Sequence, residues 1–436
     1  MTLSTQPYKG ARDFYPEDKR VQKYMFNILR KTAESFGYEE YDAPILEALD
    51  LYRAKSGEEI VNEQTYTFTD RGGREVAIRP EMTPSVSRMV AAKRQELSYP
   101  LRWYSIPNLW RYERPQRGRL REHWQMNVDM FGVAGIEAEH ELILLADATM
   151  KAFGAKHDMY SIKLNSRKLI DSFLNEYLGL DSVQAYTVAK LIDRMHKMPR
   201  HEFVADVDAM LSPSQREAGL GEKLLATLAC TDLDQLPDAL KSHPSTAELK
   251  RLIALLEESG VTNAEFDITI MRGFDYYTDV VFEMVDADPE NNRSMFGGGR
   301  YDGLVGLFGV EPVPTVGFGL GDVTLANFLE SHKLLPAPHT ETDAYVVLIG
   351  ELYYGAQKML SQLREEGVRI AVDISGRKPA QQIKSAEKKG ISYVVFVGDQ
   401  ELQSERYKLK NIVTGEEQEL SLERLISTVL DTRKKH

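Results

Sequence analysis

The sequence predicts a mixed α/β protein. Its larger part is an α+β domain built on an antiparallel sheet flanked by helices, with a helical insertion, and its C-terminal part is a smaller α/β domain. Three observations predict this. Residues 101–132, LRWYSIPNLWRYERPQRGRLREHWQMNVDMFG, alternate with period two on both sides of an Arg-rich loop, the pattern of an antiparallel hairpin. From about Arg167 to Asn263 the pattern changes to short helical stretches. Beyond the proline-bearing, polar stretch Leu334–Asp343, the segments AYVVLIG, VRIAVDIS and SYVVFVG alternate with helix-like YYGAQKMLSQLREEG and GRKPAQQIKSAEKKG, which predicts a parallel sheet. The expected domains are therefore 1–335, with an insertion at about 167–263, and 343–436.

Composition narrows the function. The chain has 436 residues, 42% of them hydrophobic, enough for two or three packed domains. A net charge of -12 argues against a protein that coats nucleic acid in general, while leaving room for local basic patches. The densest patch is the hairpin loop, where Arg111, Arg114, Arg117, Arg119 and Arg121 fall within eleven residues. Guanidinium groups suit planar, bidentate gripping of phosphate, although a solvated loop would show the same composition. One cysteine, Cys230, rules out an intramolecular disulfide and fits a reducing cytoplasm. Nine scattered histidines and that cysteine give no zinc-ligand spacing, so no metal site is expected. The N-terminal stretch lacks the apolar core of a signal peptide, and no run is long enough to span a membrane.

Taken in order, Glu17–Phe36 keeps a helical stripe of Val21, Met25, Ile28, Leu29 and Phe36, with Gly37 placed to end it. YEEYDAPILE (38–47) reads as an extended segment, and residues 65–78 as a hairpin turning at Gly72-Gly73. Glu81 and Thr83 follow at a strand-to-helix junction, where a carboxylate commonly caps the helix. In the central hairpin Leu109, Arg111 and Glu113 share one face. On the returning limb Gln125, Asn127 and Asp129 form a polar face over an apolar one of Trp124, Met126, Val128 and Met130. Ala138–Phe153 reads as a helix. Ser245-Thr246-Ala247-Glu248 reads as a capping box before a Leu249, Leu252, Ile253, Leu256 stripe that ends at Gly260. FDITIMRGFDYYTDVVFEMV reads as strand, turn, strand, and the three glycines of SMFGGGRYDGL allow close approach of backbone to a ligand. In the C-terminal domain, Arg369–Lys389 holds six basic residues against two acidic ones, a composition shared by RNA-binding surfaces and by ordinary solvated helices.

Several of these stretches resemble the motifs of class II aminoacyl-tRNA synthetases. RYERPQRGRLREHWQ is similar to the second class II motif in the form found in histidyl-tRNA synthetases, and YEEYDAPILE resembles the first, which in the family builds a homodimer interface. RGFDYYT and GGGRYDGL closely resemble the two motifs peculiar to histidyl-tRNA synthetases. VGFGLGDVTLANFLE resembles the third class II motif with one departure: Thr324 stands where many members carry an arginine over ATP. Asp129 stands where many have Glu. The C-terminal domain resembles the anticodon-binding domain of several class II synthetases.

The resemblance implies ATP-dependent attachment of L-histidine to histidine tRNA through a histidyl-adenylate, with ATP accompanied by Mg²⁺. It assigns catalysis to Arg272 and Arg111. Histidine binding falls to Glu81, Thr83, Gln125, Asp129, Tyr276 and Tyr277, and ATP binding to Arg111, Arg119, Arg272 and Arg300. Arg114 and Gln116 would meet the tRNA acceptor end. Charge develops on phosphate oxygens in the first step, so positioned cations should carry most of that catalysis. A tyrosine hydroxyl and a carboxylate can fix both imidazole nitrogens. The alternative is a noncatalytic paralogue that regulates histidine biosynthesis. Such paralogues usually lack the C-terminal domain, and here residues 343–436 and RGFDYYT weigh against that reading.

Overall fold

The computed structural model describes residues 3–53, 63–116, 118–195, 198–270, 276–291, 294–337 and 339–433. The chain divides into two compact units, one of residues up to Asp13 with Gln22–Leu335, the other of Phe14–Val21 with the chain from Pro336 onward.

Helix α1 (Pro16–Ser35) buries Met25, Leu29 and Ala33 on one stripe, and Gly37 ends it at φ +79°. Strand β1 (Glu39–Glu40) follows. A small antiparallel sheet comes next, of β2 (Leu46–Ala48), then β3 (Tyr66–Thr69) and β4 (Glu75–Ile78) after α2 (Asp50–Arg53). The β3–β4 turn forms where expected: the Asp70 carboxylate accepts from Gly72 and Arg74 N–H at 2.8 and 2.9 Å, and Gly73 takes φ +78°. Helix α3 (Thr83–Ala92) then leads to β5 (Leu101–Ser105), β6 (Asn108–Trp110) and the long β7 (Glu122–Phe131). The ascending limb of the Arg-rich hairpin is strand only to Trp110; residues 111–115 are irregular. Both β5 and β6 pair antiparallel with β7 in one continuous register, interrupted at Ile106-Pro107.

Helix α4 (Glu137–Ala152) and β8 (Tyr160–Ser166) precede the helical block. That block comprises α5 (Arg167–Asp171), α6 (Ser182–Arg194), α7 (Arg200–Met210), α8 (Pro213–Glu217), α9 (Leu220–Leu228), α10 (Asp238–Lys241) and α11 (Pro244–Glu258). Leu249, Leu252 and Leu256 of α11 are fully buried, as the stripe predicts. The cap differs from the expected box. The helix starts two residues earlier, with Pro244 in its first position, and His243 Nδ1 accepts the Ser245 N–H at 3.2 Å, so Ser245 and Thr246 lie inside the helix and are buried.

Strand β9 (Ala264–Phe266) pairs in parallel with β8, not with the strand that follows it in sequence. Strands β10 (Val280–Asp286), β11 (Ser294–Arg300) and β12 (Thr315–Gly321), then α12 (Asp322–Ser331), complete the unit. The large sheet runs β1-β5-β7-β12-β11-β10-β8-β9 and is antiparallel except at its two edge pairs. Its apolar face carries Met126, Val128, Ile162, Leu164, Phe282 and Phe318 into one core shared with α4, α11 and α12. Burying each such side chain contributes roughly 1.5–3 kcal/mol.

In the C-terminal unit β13 (Ala344–Leu348), α13 (Gln357–Glu365), β14 (Ile370–Val372), α14 (Pro379–Lys388) and β15 (Tyr393–Val397) give three parallel strands in the order β14-β13-β15. After α15 (Asp399–Ser404), β16 (Arg406–Asn411) and β17 (Glu417–Ser421) add an antiparallel hairpin to the sheet, and α16 (Leu422–Arg433) closes the unit. The sequence pattern does not predict that hairpin. Its alternation is dominated by charged residues, and only Tyr407 and Leu409 are buried.

Candidate active site

A narrow cleft of about 40 Å³ opens on the polar face of the large sheet. It is lined by Glu81 and Thr83, Arg111, Gln125 and Asp129 of the hairpin limbs, and Tyr276 and Tyr277. Glu81 and Tyr276, 195 positions apart in sequence, thus share one wall.

The β7–β12 ladder builds the floor. Gly317 is the register partner of Asp129, and Gly319 that of Asn127. A Cβ on Gly317 would fall 2.2 Å from Asp129 Oδ1, and one on Gly319 would fall 2.1 Å from Gln125 Nε2. Only glycine lets the carboxylate and the amide lie across the neighbouring strand. Gly299 does the same for the Tyr277 ring, which a Cβ would approach to 2.9 Å.

Asp129 is buried. The Tyr301 hydroxyl donates to its Oδ1, while Oδ2 makes no hydrogen bond among the described residues. Burial pushes the carboxyl up to about 7, against the opposing influence of the Tyr301 and nearby Tyr41 hydroxyls. A buried carboxylate oxygen without a donor is costly; the nearby Tyr41 hydroxyl, itself without a hydrogen-bond partner among the described residues, or an N–H supplied by a ligand would relieve it. Tyr276, Tyr277 and Tyr301 pack round this group, with ring centroids 5.0 to 6.5 Å apart.

Glu81 does not cap α3. The N-cap position is Met82, and it has no side-chain cap. The buried Glu81 carboxylate instead accepts from the Tyr276 hydroxyl at 3.4 Å. The junction is held by the buried Arg79, whose Nη1 donates to Ala43 O at 2.6 Å and Nε to Asn108 O at 3.0 Å. Arg111 is anchored by its Nε to Pro80 O at 2.8 Å and lines the same cleft. Among the described residues, two carboxylates, three tyrosine side chains and two amides thus share a cleft with one guanidinium, which suits a ligand bearing both cationic or N–H groups and an anionic group.

The other candidates lie elsewhere. Arg114 and Gln116 are exposed on the loop, where Gln116 and Arg119 exchange backbone hydrogen bonds of 3.0 and 2.9 Å. Arg119 is largely exposed, 3.7 Å from Glu113. The tip of the loop packs toward α12: a Cβ on Gly118 would sit 3.8 Å from the Thr324 methyl. Thr324 itself donates its hydroxyl to Gly321 O at 3.1 Å. Arg272 and Arg117 lie outside the described residues. Arg300 is not brought to the cleft. It is buried, its Nε and Nη2 grip Glu139 at 2.6 and 2.7 Å, and its remaining nitrogen bonds meet Val133 O, Gly135 O and Asp302. With its fork committed to Glu139, this side chain reads as a structural tie between β11 and α4.

Sequence reasoning missed Tyr301, Asn127, Gly317 and Gly319 as site residues. The signals were present: Tyr301 follows the glycine run, and the glycines of VGFGLG alternate with the period of a strand.

A family model described as histidyl-tRNA synthetase matches residues 10–323, and an anticodon binding domain model matches residues 343–432. The histidine–tRNA ligase of Leptospira biflexa is 44% identical over 414 residues, 94% of each chain. That of Thermoplasma volcanium is 39% identical over 433 residues, 97% of this chain and 98% of its own. The crystal structure of the histidyl-tRNA synthetase from Nostoc sp. PCC 7120 superposes with a TM-score of 0.82 over 99% of this chain and all of that one, at 22% identity, a likeness of fold. The fold, the cleft and the match over residues 10–323 converge: the chain belongs to the histidyl-tRNA synthetase family.

Proposed function

We propose that this protein attaches L-histidine to histidine tRNA at the expense of ATP. Histidine's carboxylate attacks the α-phosphorus and expels pyrophosphate, giving histidyl-adenylate. A hydroxyl of the tRNA 3′-terminal ribose then takes the acyl group and AMP leaves. The observation that carries this reading is the buried Asp129–Tyr301 pair, with its unsatisfied Oδ2, sharing a cleft with Glu81 and Arg111.

In this reading Asp129 accepts from an imidazole N–H, and Glu81 with Thr83 takes the α-ammonium. Gln125, Tyr276 and Tyr277 shape the histidine pocket. Arg111 holds the α-phosphate, and Arg272 is the second cation of the adenylation step. Arg119 serves the outer phosphates, with Arg114 and Gln116 at the tRNA acceptor end. Arg300 drops out of the ATP set because Glu139 occupies it. Among the described residues there is no group of three or more side chains able to cage a metal ion. Magnesium would accompany ATP as substrate, held largely by phosphate oxygens and water. The C-terminal unit would read the anticodon, and a cytoplasmic homodimer is the expected form.

Histidine-dependent ATP–pyrophosphate exchange, measured across the amino acids, tests the proposal. Exchange with histidine alone is expected. Absence of exchange in a folded protein would favour the regulatory reading.

A further inference from the structure

We propose that residues Tyr8–Arg12 form a strap that sets the position of the Arg-rich hairpin, making Gly10 and Arg12 positioning residues for ATP. This rests on the reading of Arg111 as the phosphate-gripping cation.

The N-terminal lead-in has no helix or strand and is mostly exposed, yet it is tied down at every other residue, Tyr8, Gly10 and Arg12. Gly10 O accepts the N–H groups of both Arg121 and Glu122, at 2.9 and 3.2 Å. Arg121 O in turn accepts the Arg111 N–H at 2.8 Å. A single residue, Arg121, therefore separates the strap from the backbone of Arg111. The Tyr8 hydroxyl accepts from Arg121 Nη1 at 3.2 Å. The same guanidinium lies 3.9 Å from the centre of the Tyr112 ring and donates its Nε to Glu113 O at 3.1 Å. Arg121 thus clamps both limbs of the hairpin, with the strap on its outer side.

Two features show that this contact is specific to these residues. Gly10 has φ +87°, and a Cβ there would stand 2.8 Å from Arg121 Cγ and 3.0 Å from its Cβ, atoms close to the backbone that cannot swing aside. At the far end of the strap, Arg12 Nη2 donates to the buried Asp322 Oδ2 at 2.7 Å, while Asp322 Oδ1 accepts the Trp124 N–H at 2.9 Å. One carboxylate at the head of α12 therefore ties the strap to β7. Burial, then Arg111 and Arg12, push the His123 imidazole down to about 3. Thr324, two residues beyond Asp322, brings no charge to this end of the site. A surface segment that merely packs on a hairpin would lower stability when cut and would affect both substrates alike.

The test is ATP–pyrophosphate exchange by full-length Gly10→Ala, Arg12→Lys, Arg12→Met and Tyr8→Phe proteins, with KM measured separately for ATP and histidine. Small misplacements of a catalytic group can cost about 100-fold. Gly10→Ala is expected to raise the KM for ATP about tenfold or more, with the KM for histidine within about twofold. Arg12→Lys should recover part of the loss seen in Arg12→Met. Tyr8→Phe, at an exposed residue, keeps the fold testable if Gly10→Ala does not fold, and should shift the KM for ATP in the same direction. Equal changes for both substrates, or none, in folded Gly10→Ala and Tyr8→Phe proteins would overturn the strap. Arg111→Ala is the control. Normal exchange by Arg111→Ala would overturn the reading of the site itself, whereas impaired Arg111→Ala beside normal strap variants overturns the strap alone.

Discussion

Replacing Asp129 by asparagine should make the unliganded protein more stable and a worse enzyme. The side chain keeps its shape, and Tyr301 can still donate to Oδ1. What changes is the charge. The folded-state pKa of Asp129, about 7, lies above its ordinary value of 3.8. Between those values the folded protein holds a proton that the unfolded chain has lost, so this group's contribution to stability falls as pH rises from about 4 to about 7 and is level above that. The gap of roughly three pH units corresponds to about 4 kcal/mol at most. The amide of the Asp129→Asn protein does not titrate and carries no such pH dependence. Urea unfolding should therefore show the variant ahead by about 2–4 kcal/mol at pH 8, shrinking to about 1.5 kcal/mol or less at pH 5. In parallel the KM for histidine should rise about 5- to 150-fold, because a mismatched buried partner costs roughly 1–3 kcal/mol. The KM for ATP should stay within about twofold. A stability difference that is the same at both pH values, or of opposite sign at pH 8, would refute the burial argument. Equal effects on both KM values would refute the imidazole assignment.

Arg272→Ala should keep the fold and most histidine affinity while lowering single-turnover adenylation about 10² to 10³-fold, with Arg272→Lys recovering only part; near-normal adenylation in a stable variant rules the catalytic role out. Arg300→Met should cost about 3–5 kcal/mol of stability by stranding the Glu139 carboxylate, with an unchanged KM for ATP. A selective rise in that KM without loss of stability would restore Arg300 to the nucleotide site. Deleting residues 343–436 should leave histidine-dependent exchange detectable and greatly weaken tRNA charging; a folded core without exchange would show that adenylation needs the second unit.

The sequence by itself determined what depends on near neighbours. The stripe of α1, the turn at Gly72-Gly73, the two faces of β7 and the alternation of strand and helix after Asp343 follow from side-chain period and turn chemistry, which act over a few residues. The polar face of Gln125, Asn127 and Asp129 was legible for the same reason. Where a cap depended on the residues just ahead, as at Pro244 and His243, local reading erred by a residue or two. Only the tertiary structure decided which polar groups meet. Tyr301 reaches Asp129 across 172 positions, Tyr276 reaches Glu81 across 195, and Arg12 reaches Asp322 across 310. Arg300, the last residue of β11, and Tyr301, the next, are adjacent in a glycine-rich motif, yet their side chains point to opposite faces. One is committed to Glu139 under the sheet, the other to Asp129 in the cleft. Burial, which sets the carboxyl of Asp129 near neutrality, is likewise a property of the packed sheet: the same carboxyl in the unfolded chain is solvated and titrates like any other.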